Sequence, residues 1–305
     1  MNIINFRVDG RLHNGEVKYC PLTLVKNLSV FNSCILIFIA DMDIFLLLLF
    51  VLSLSVLLFT ILMRKKRKPV IVQPIPDHYR AILHEQVEFF RQLGEAKQQE
   101  FENRVQLFLT QTKITGIKTT VEDIDKVLIA SSAVIPIFGF PDWEYTNLQE
   151  VLLYPDSFNH DFEQTGSVRN ILGMVGSGAF NGVMILSQHE LRQTFLNKTD
   201  KNNTAIHEFV HLVDKSDGTV DGIPEFILQQ QYILPWLQLM RHEIKKILAD
   251  RSDINPYGAT NEAEFFAVVS EYFFERPDLL QDKNPELYQL LTTIFRQQPA
   301  AIKVY

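Results

Sequence analysis

Apolar residues fall along this chain in contrasting patterns. From Ile44 to Met63 they run almost unbroken and without a charge, as IFLLLLFVLSLSVLLFTILM. About 20 such residues are enough for a helix to cross a hydrocarbon core of roughly 30 Å. Arg64-Lys65-Lys66-Arg67-Lys68 follows at once, and Asp41 and Asp43 stand before it. Positive charge is retained on the cytoplasmic side of a span. The pattern therefore predicts a transmembrane helix over 42–63, with the rest of the chain facing the cytoplasm from the inner membrane. A cleaved secretory leader has the opposite order, with its positive charge before the apolar run. Residues 64–76 read as a basic and proline-punctuated linker, extended rather than helical. Residues 1–41 match no pattern, since the run from Ile35 to Ala40 is too short to span. Met42 directly precedes the apolar helix, so the expectation is that translation starts there and that 1–41 is a mis-assigned extension.

After Pro76 the apolar residues become periodic. Asp77 is placed to cap a helix, and Ile82, Val87, Phe89, Phe90, Leu93, Phe101, Val105, Phe108 and Leu109 predict two amphipathic helices broken near Gly94. VLIASSAVIPIFGF, from Val127 to Phe140, is shorter than a span and holds two serines and a proline, so it predicts a buried core helix. EVLLY at 150–154 and GVMIL at 182–186 predict strands. A glycine-bearing segment between them, Asn159 to Ala179, is a candidate cover for a site. The whole predicts an α+β domain over 77–305, mostly helical around a short sheet.

Composition narrows the chemistry. The net charge of −7 gives no global basic field, so nucleic acid is not an expected partner. The two cysteines, Cys20 and Cys34, lie upstream of this domain and offer it neither a disulfide framework nor a thiolate site. A metal there must be held by His, Asp or Glu. NNTAIHEFVHLVDK, from Asn202, supplies such a site. Asn203 or Thr204 can cap a helix on which His207 and His211, at i and i+4, share one face and can reach one ion. Glu208 sits beside the first histidine, placed to act on a metal-activated water. Neutral imidazoles with an open position for water suit a catalytic Zn²⁺. Such a site needs a third ligand from another element, and the segment YGATNEAEFFAVVSEYFFE provides candidates. Glu264 precedes an apolar run and can lie on its buried side. Glu271 shares that face two turns on, as the runner-up ligand or as an outer partner. Asp214 is a further candidate for orienting a histidine. Asp217 and Asp221 fit two Asp-Gly turns better than a second cation site. His160, His189 and His242 stand alone and are read as surface or structural residues.

HEFVHLVDKSDGTVDGIPEF, YGATNEAEFFAVVSEYFFERP and VLIASSAVIPIFGF with EVLLYPDSF together resemble the Mlc titration factor family of zinc-dependent peptidases. The second of these segments is also similar to the catalytic domain of anthrax lethal factor. The resemblance implies a zincin-like (gluzincin) fold with Zn²⁺ on His207, His211 and Glu264, Glu208 as general base, and Tyr257, seven residues before Glu264, as donor to the reacting oxyanion. By its residues alone, Tyr257 reads better as a turn tyrosine packing its ring, and the resemblance is what favours the oxyanion role. The resemblance further implies a metalloaminopeptidase acting on small peptide substrates, and a transcriptional repressor as a partner. The alternative is a membrane-tethered regulatory protein that sequesters such a partner through a zinc-stabilised domain. A membrane helix ahead of the domain departs from the soluble members of the family.

Overall fold

The computed structural model describes residues 46–59, 73–157, 173–175, 182–197, 200–225 and 227–302. Cys20, Cys34, the 35–40 run, Met42, the basic run 64–68 and His160 lie outside these, as does most of the segment from Asn159 to Ala179. Two compact units divide between Pro69 and Val70. In the first, residues 46–59 form a helix whose side chains are all exposed. Only the middle of the predicted span is described, and it is shorter than the about 20 residues a crossing needs. Among the described residues no helix is long and apolar enough to cross a membrane.

The second unit begins with three helices where the sequence pattern predicts two: α1 Asp77–Gln86, α2 Glu88–Gln92 and α3 Glu95–Gln111. The extra break is at Val87, which takes an extended conformation (φ −100°, ψ 99°) and buries its side chain completely. Burial of a β-branched side chain outweighs helix continuity there. Gly94 is the N-cap of α3, as the pattern suggests. Asp77 lies in the first turn of α1 behind Pro76 and is not its cap. The long core helix α4 spans Asp123–Ile137 and starts at a reciprocal capping box between Glu122 and Asp125. Its buried Ser131 and Ser132 hydroxyls donate to the carbonyls of Val127 and Leu128, which removes the cost of enclosing them.

Among the described residues, four short strands make a mixed sheet in the order β1-β2-β4-β3, with β1 Lys113–Gly116, β2 Glu150–Tyr154, β3 Gly173–Val175 and β4 Val183–Ser187. β1, β2 and β4 run parallel, and β3 is an antiparallel edge strand on β4. Alternation sorts the faces. Val151, Leu153, Met184 and Leu186 join the main core, while Tyr154 and Ile185 form a small second cluster with Leu152 and Met174. β2 has the predicted bounds and β4 begins one residue later than expected. Helix α5, Gln188–Leu196, follows β4 directly.

Two helices carry the motif residues. α6 spans Thr204–Asp214, and α8 spans Glu262–Glu275, with α7, Gln230–Leu248, between them in sequence. Asparagine caps both: Asn203 accepts from the Ile206 N–H and Asn261 from the Glu264 N–H. Phe209 anchors α6 against Phe108 and Tyr145, with ring centroids 5.7 and 5.2 Å away. Phe265 and Phe266 anchor α8 against the fully buried Trp236 of α7. The turn after α6 is pinned at Gly222 (φ +75°), where a Cβ would come within 2.3 Å of the Glu262 carbonyl oxygen. Only glycine allows that approach, and it holds the end of one motif helix against the start of the other. Two further helices, α9 Pro277–Lys283 and α10 Pro285–Phe295, close the unit and so complete a mostly helical α+β fold.

Candidate metal centre

The burial pattern of α6 fixes which side of it faces inward, and its histidines emerge where α6 meets α8. His207 Nε2 lies 3.1 Å from His211 Nε2 and 2.9 Å from Glu264 Oε2, and His211 Nε2 lies 3.5 Å from the same carboxylate oxygen. Three donor atoms thus face one point. Their separations bracket the ~3.3 Å edge of a tetrahedron with bonds of about 2.0–2.1 Å, so the residues fit a zinc-sized ion. Among the described residues this is the cluster able to hold a metal.

Electrostatics favour positive charge at the same point. Burial opposes a charge on the His207 ring, yet hydrogen bonds to Glu264 and Glu271 and the field of Glu208 raise its pKa to about 10. Burial likewise works against the Glu264 carboxylate, and the two histidines overcome it and lower its pKa to about 2. Glu208 is raised: burial dominates, the histidines oppose, and Glu264 and Glu271 add to the rise. A carboxyl so placed takes up a proton readily.

Glu271 does not face the donor point. Its Oε1 lies 2.7 Å from His207 Nδ1, and its other oxygen accepts from the backbone N–H of Asn203. A carboxylate accepts only, so Nδ1 carries a hydrogen towards Glu271, and a metal at the donor point would take the place of the second hydrogen, the one on Nε2 that faces Glu264. That selects the outer-partner role of the two anticipated for Glu271. Asp214 does not orient a histidine. Its Oδ2 accepts from Gly222 N–H, and no hydrogen bond joins it to His211, whose buried Nδ1 has no hydrogen-bond partner among the described residues. Asp217 and Asp221 accept from Thr219 and Ile223 N–H in turns, as expected. His189 and His242 line neither cavity at the centre.

Tyr257 lies in a short 3₁₀ turn, Pro256–Ala259, with its ring centroid 6.0 Å from that of His207. It is 53% exposed, unlike a packing tyrosine. Burial of its hydroxyl and the charges of Glu264 and Glu208 raise its pKa, so it remains a proton donor. Two cavities meet at Gly173, His207, Glu208 and Tyr257. The larger, of about 850 Å³, continues past Met174, Val220, Ile223 and Leu237 to Lys215 and Arg241. The smaller, of about 320 Å³, lies towards Glu190 and Asn255. Sequence reasoning missed Gly173. A Cβ there would sit 2.7 Å from Glu208 Cγ and 2.8 Å from its Oε1. Gly173 falls in a segment with several glycines, and nothing in the pattern singles it out.

Two histidines a helical turn apart, a glutamate between them and a carboxylate from a following helix are the constellation of a metallopeptidase. The chain belongs to the glucose-regulated metallo-peptidase M90 family, whose profile matches residues 61–296. It is 31% identical over 249 residues to an uncharacterized protein of Synechocystis sp., a match covering 77% of this chain and 89% of that one. It is 26% identical over 236 residues to Mlc titration factor A of Pectobacterium atrosepticum, covering 74% and 88%. The Mlc titration factor A of Serratia proteamaculans is 31% identical over 168 residues, covering 50% of this chain and 61% of the relative.

Proposed function

We propose that the protein is a zinc peptidase with aminopeptidase-like specificity, hydrolysing short peptides at the α6–α8 junction. The observation that carries this is the convergence of His207, His211 and Glu264 on one point with Glu208 beside it. His207, His211 and Glu264 would hold the ion. Zn²⁺ bound there lowers the pKa of a coordinated water to about 7. Glu208, buried and raised, accepts a proton from water and later returns it to the leaving amine. The Tyr257 hydroxyl donates to the carbonyl oxygen as it gains charge. Strand β3 sets Gly173 against Glu208, and its side away from β4, unpaired among the described residues, can take an extended peptide as an added strand. The test is peptide hydrolysis by the full chain loaded with zinc, with a chelated control. A protein that binds zinc stoichiometrically and cleaves no peptide in a broad library overturns the proposal.

Gly173→Ala gives a sharper check on geometry. The added methyl must displace Glu208 or push β3 away. The expected result is a fall in kcat of roughly 10- to 100-fold with zinc content unchanged, read by steady-state kinetics and metal analysis. Full activity in that variant would show that the strand does not hold the base.

The second reading, a regulatory protein that binds a repressor, rests on the name borne by the Mlc titration factor relatives. A tether at the inner membrane, with the catalytic unit in the cytoplasm, is supported by the uncharged run 44–63, the basic residues after it, and the exposed apolar face of residues 46–59. Release of the native protein from membranes by alkaline carbonate, without detergent, would count against the tether.

A further inference from the structure

The smaller cavity is lined by one carboxylate that the catalytic machinery leaves unused. Glu190 sits in the first turn of α5, immediately beyond the end of β4. Its backbone is engaged: the N–H donates to Ser187 Oγ and the carbonyl accepts from Thr194. Its carboxylate makes no hydrogen bond or ion pair among the described residues. Burial pushes the carboxyl above its ordinary range, the neighbouring His189 ring pulls against that, and Asp200 and Asp156 push it further. No lysine or arginine lines this cavity among the described residues. Glu271 also borders it, but its two oxygens are spent on His207 and Asn203. An amide pair also lines the cavity, with Asn255 donating to Asn202 Oδ1 at 3.1 Å.

The two cavities differ in their charged lining. The larger carries Lys215 and Arg241 together with Asp221 and Glu262, whereas the smaller has Glu190 and, among the described residues, no cation to answer it. At about 320 Å³, the smaller cavity stands at the low end of the size of ligand sites, and so suits a chain end better than a continuing strand. A half-buried carboxylate without a partner is satisfied by a cation that the substrate itself brings, and a peptide's α-amino group, with pKa about 7.7–8.0, is that cation near neutral pH.

We propose that the Glu190 carboxylate is a specificity-determining residue that receives the free α-ammonium group of the substrate's first residue. The proposal rests on the peptidase reading above and deepens it. A first-turn acid also suits the helix dipole, but that role alone predicts no dependence on the substrate's amino terminus. The test compares an aminoacyl p-nitroanilide with its N-acetylated form, using the zinc-loaded full chain, Glu190→Gln and Glu190→Asp. The wild type should prefer the free amine. In Glu190→Gln that preference should shrink by about 10- to 100-fold, mainly through KM for the free-amine substrate, as expected for a lost charge-assisted hydrogen bond. Glu190→Asp, which keeps the charge, should recover part of it. A free-amine preference that survives in Glu190→Gln overturns the assignment. So does a wild type that cleaves both forms equally, and in that case the zinc-peptidase reading stands without its aminopeptidase-like specificity. A wild type that cleaves neither these nor any library peptide overturns both.

Discussion

Replacing Glu208 by Gln should keep zinc and remove hydrolysis. Gln is nearly isosteric with Glu and fits the same buried position, but it cannot accept a proton. The group is 6% exposed, and four other ionisable side chains, His207, His211, Glu264 and Glu271, influence its proton affinity. None of these is placed to replace it: His207, His211 and Glu264 are committed to the donor point, and Glu271 to the far side of His207. A positioned general base contributes about 10²–10⁴-fold, so kcat should fall by that much or more, with KM little changed. Zinc stoichiometry and melting temperature should match the wild type. The rival binding role makes the opposite prediction, because a repressor-sequestering surface has no use for a proton acceptor. If Glu208→Gln loses hydrolysis yet still performs the protein's role in cells, the chemistry is incidental to that role.

Removing the third donor should have the other large effect. Glu264→Ala leaves two imidazoles from adjacent turns of a single helix. Zinc affinity, measured by competition with a chromophoric chelator, should drop by about 10³-fold or more. Glu271→Gln should cost less, about 10- to 100-fold, the range for a group that orients a ligand from behind. The order matters more than the magnitudes. Glu271 reaches His207 through Nδ1, on the ring edge away from His211, whereas Glu264 reaches Nε2 of both histidines. A larger loss in Glu271→Gln than in Glu264→Ala would reverse the two roles.

Much of this arrangement was legible in the sequence, and the remainder was hidden for physical reasons. Motif spacing on a capped helix brought His207, Glu208 and His211 together because helical period is local. The separation of Glu264 from Glu271 by two turns could not say which faced the metal. That depends on how α8 rotates about Phe265 and Phe266 against Trp236, a tertiary matter. β2 was readable because a run of large apolar residues ends at Pro155. β1, with the sequence KITG, and β3, with GMV, were not, since so few residues carry no period. Their strand state comes from pairing with β2 and β4. The break at Val87 escaped notice because a buried valine fits a helix or an extended turn equally well on paper. Glu190 is one glutamate among many until the fold sets it in the wall of the smaller cavity.

The pin at Gly222 has a kinetic consequence. It joins helices whose facing side chains, His207 and Glu264, are 57 residues apart in sequence. In the unfolded chain only the pair on α6 is preassembled, and a loop that long closes late. Zinc therefore has its full donor set only after the closure is made. It should act as a latch on the finished unit, slowing unfolding in stopped-flow mixing while leaving the refolding rate near its metal-free value. Equal acceleration of refolding by zinc would mean that the helices meet early.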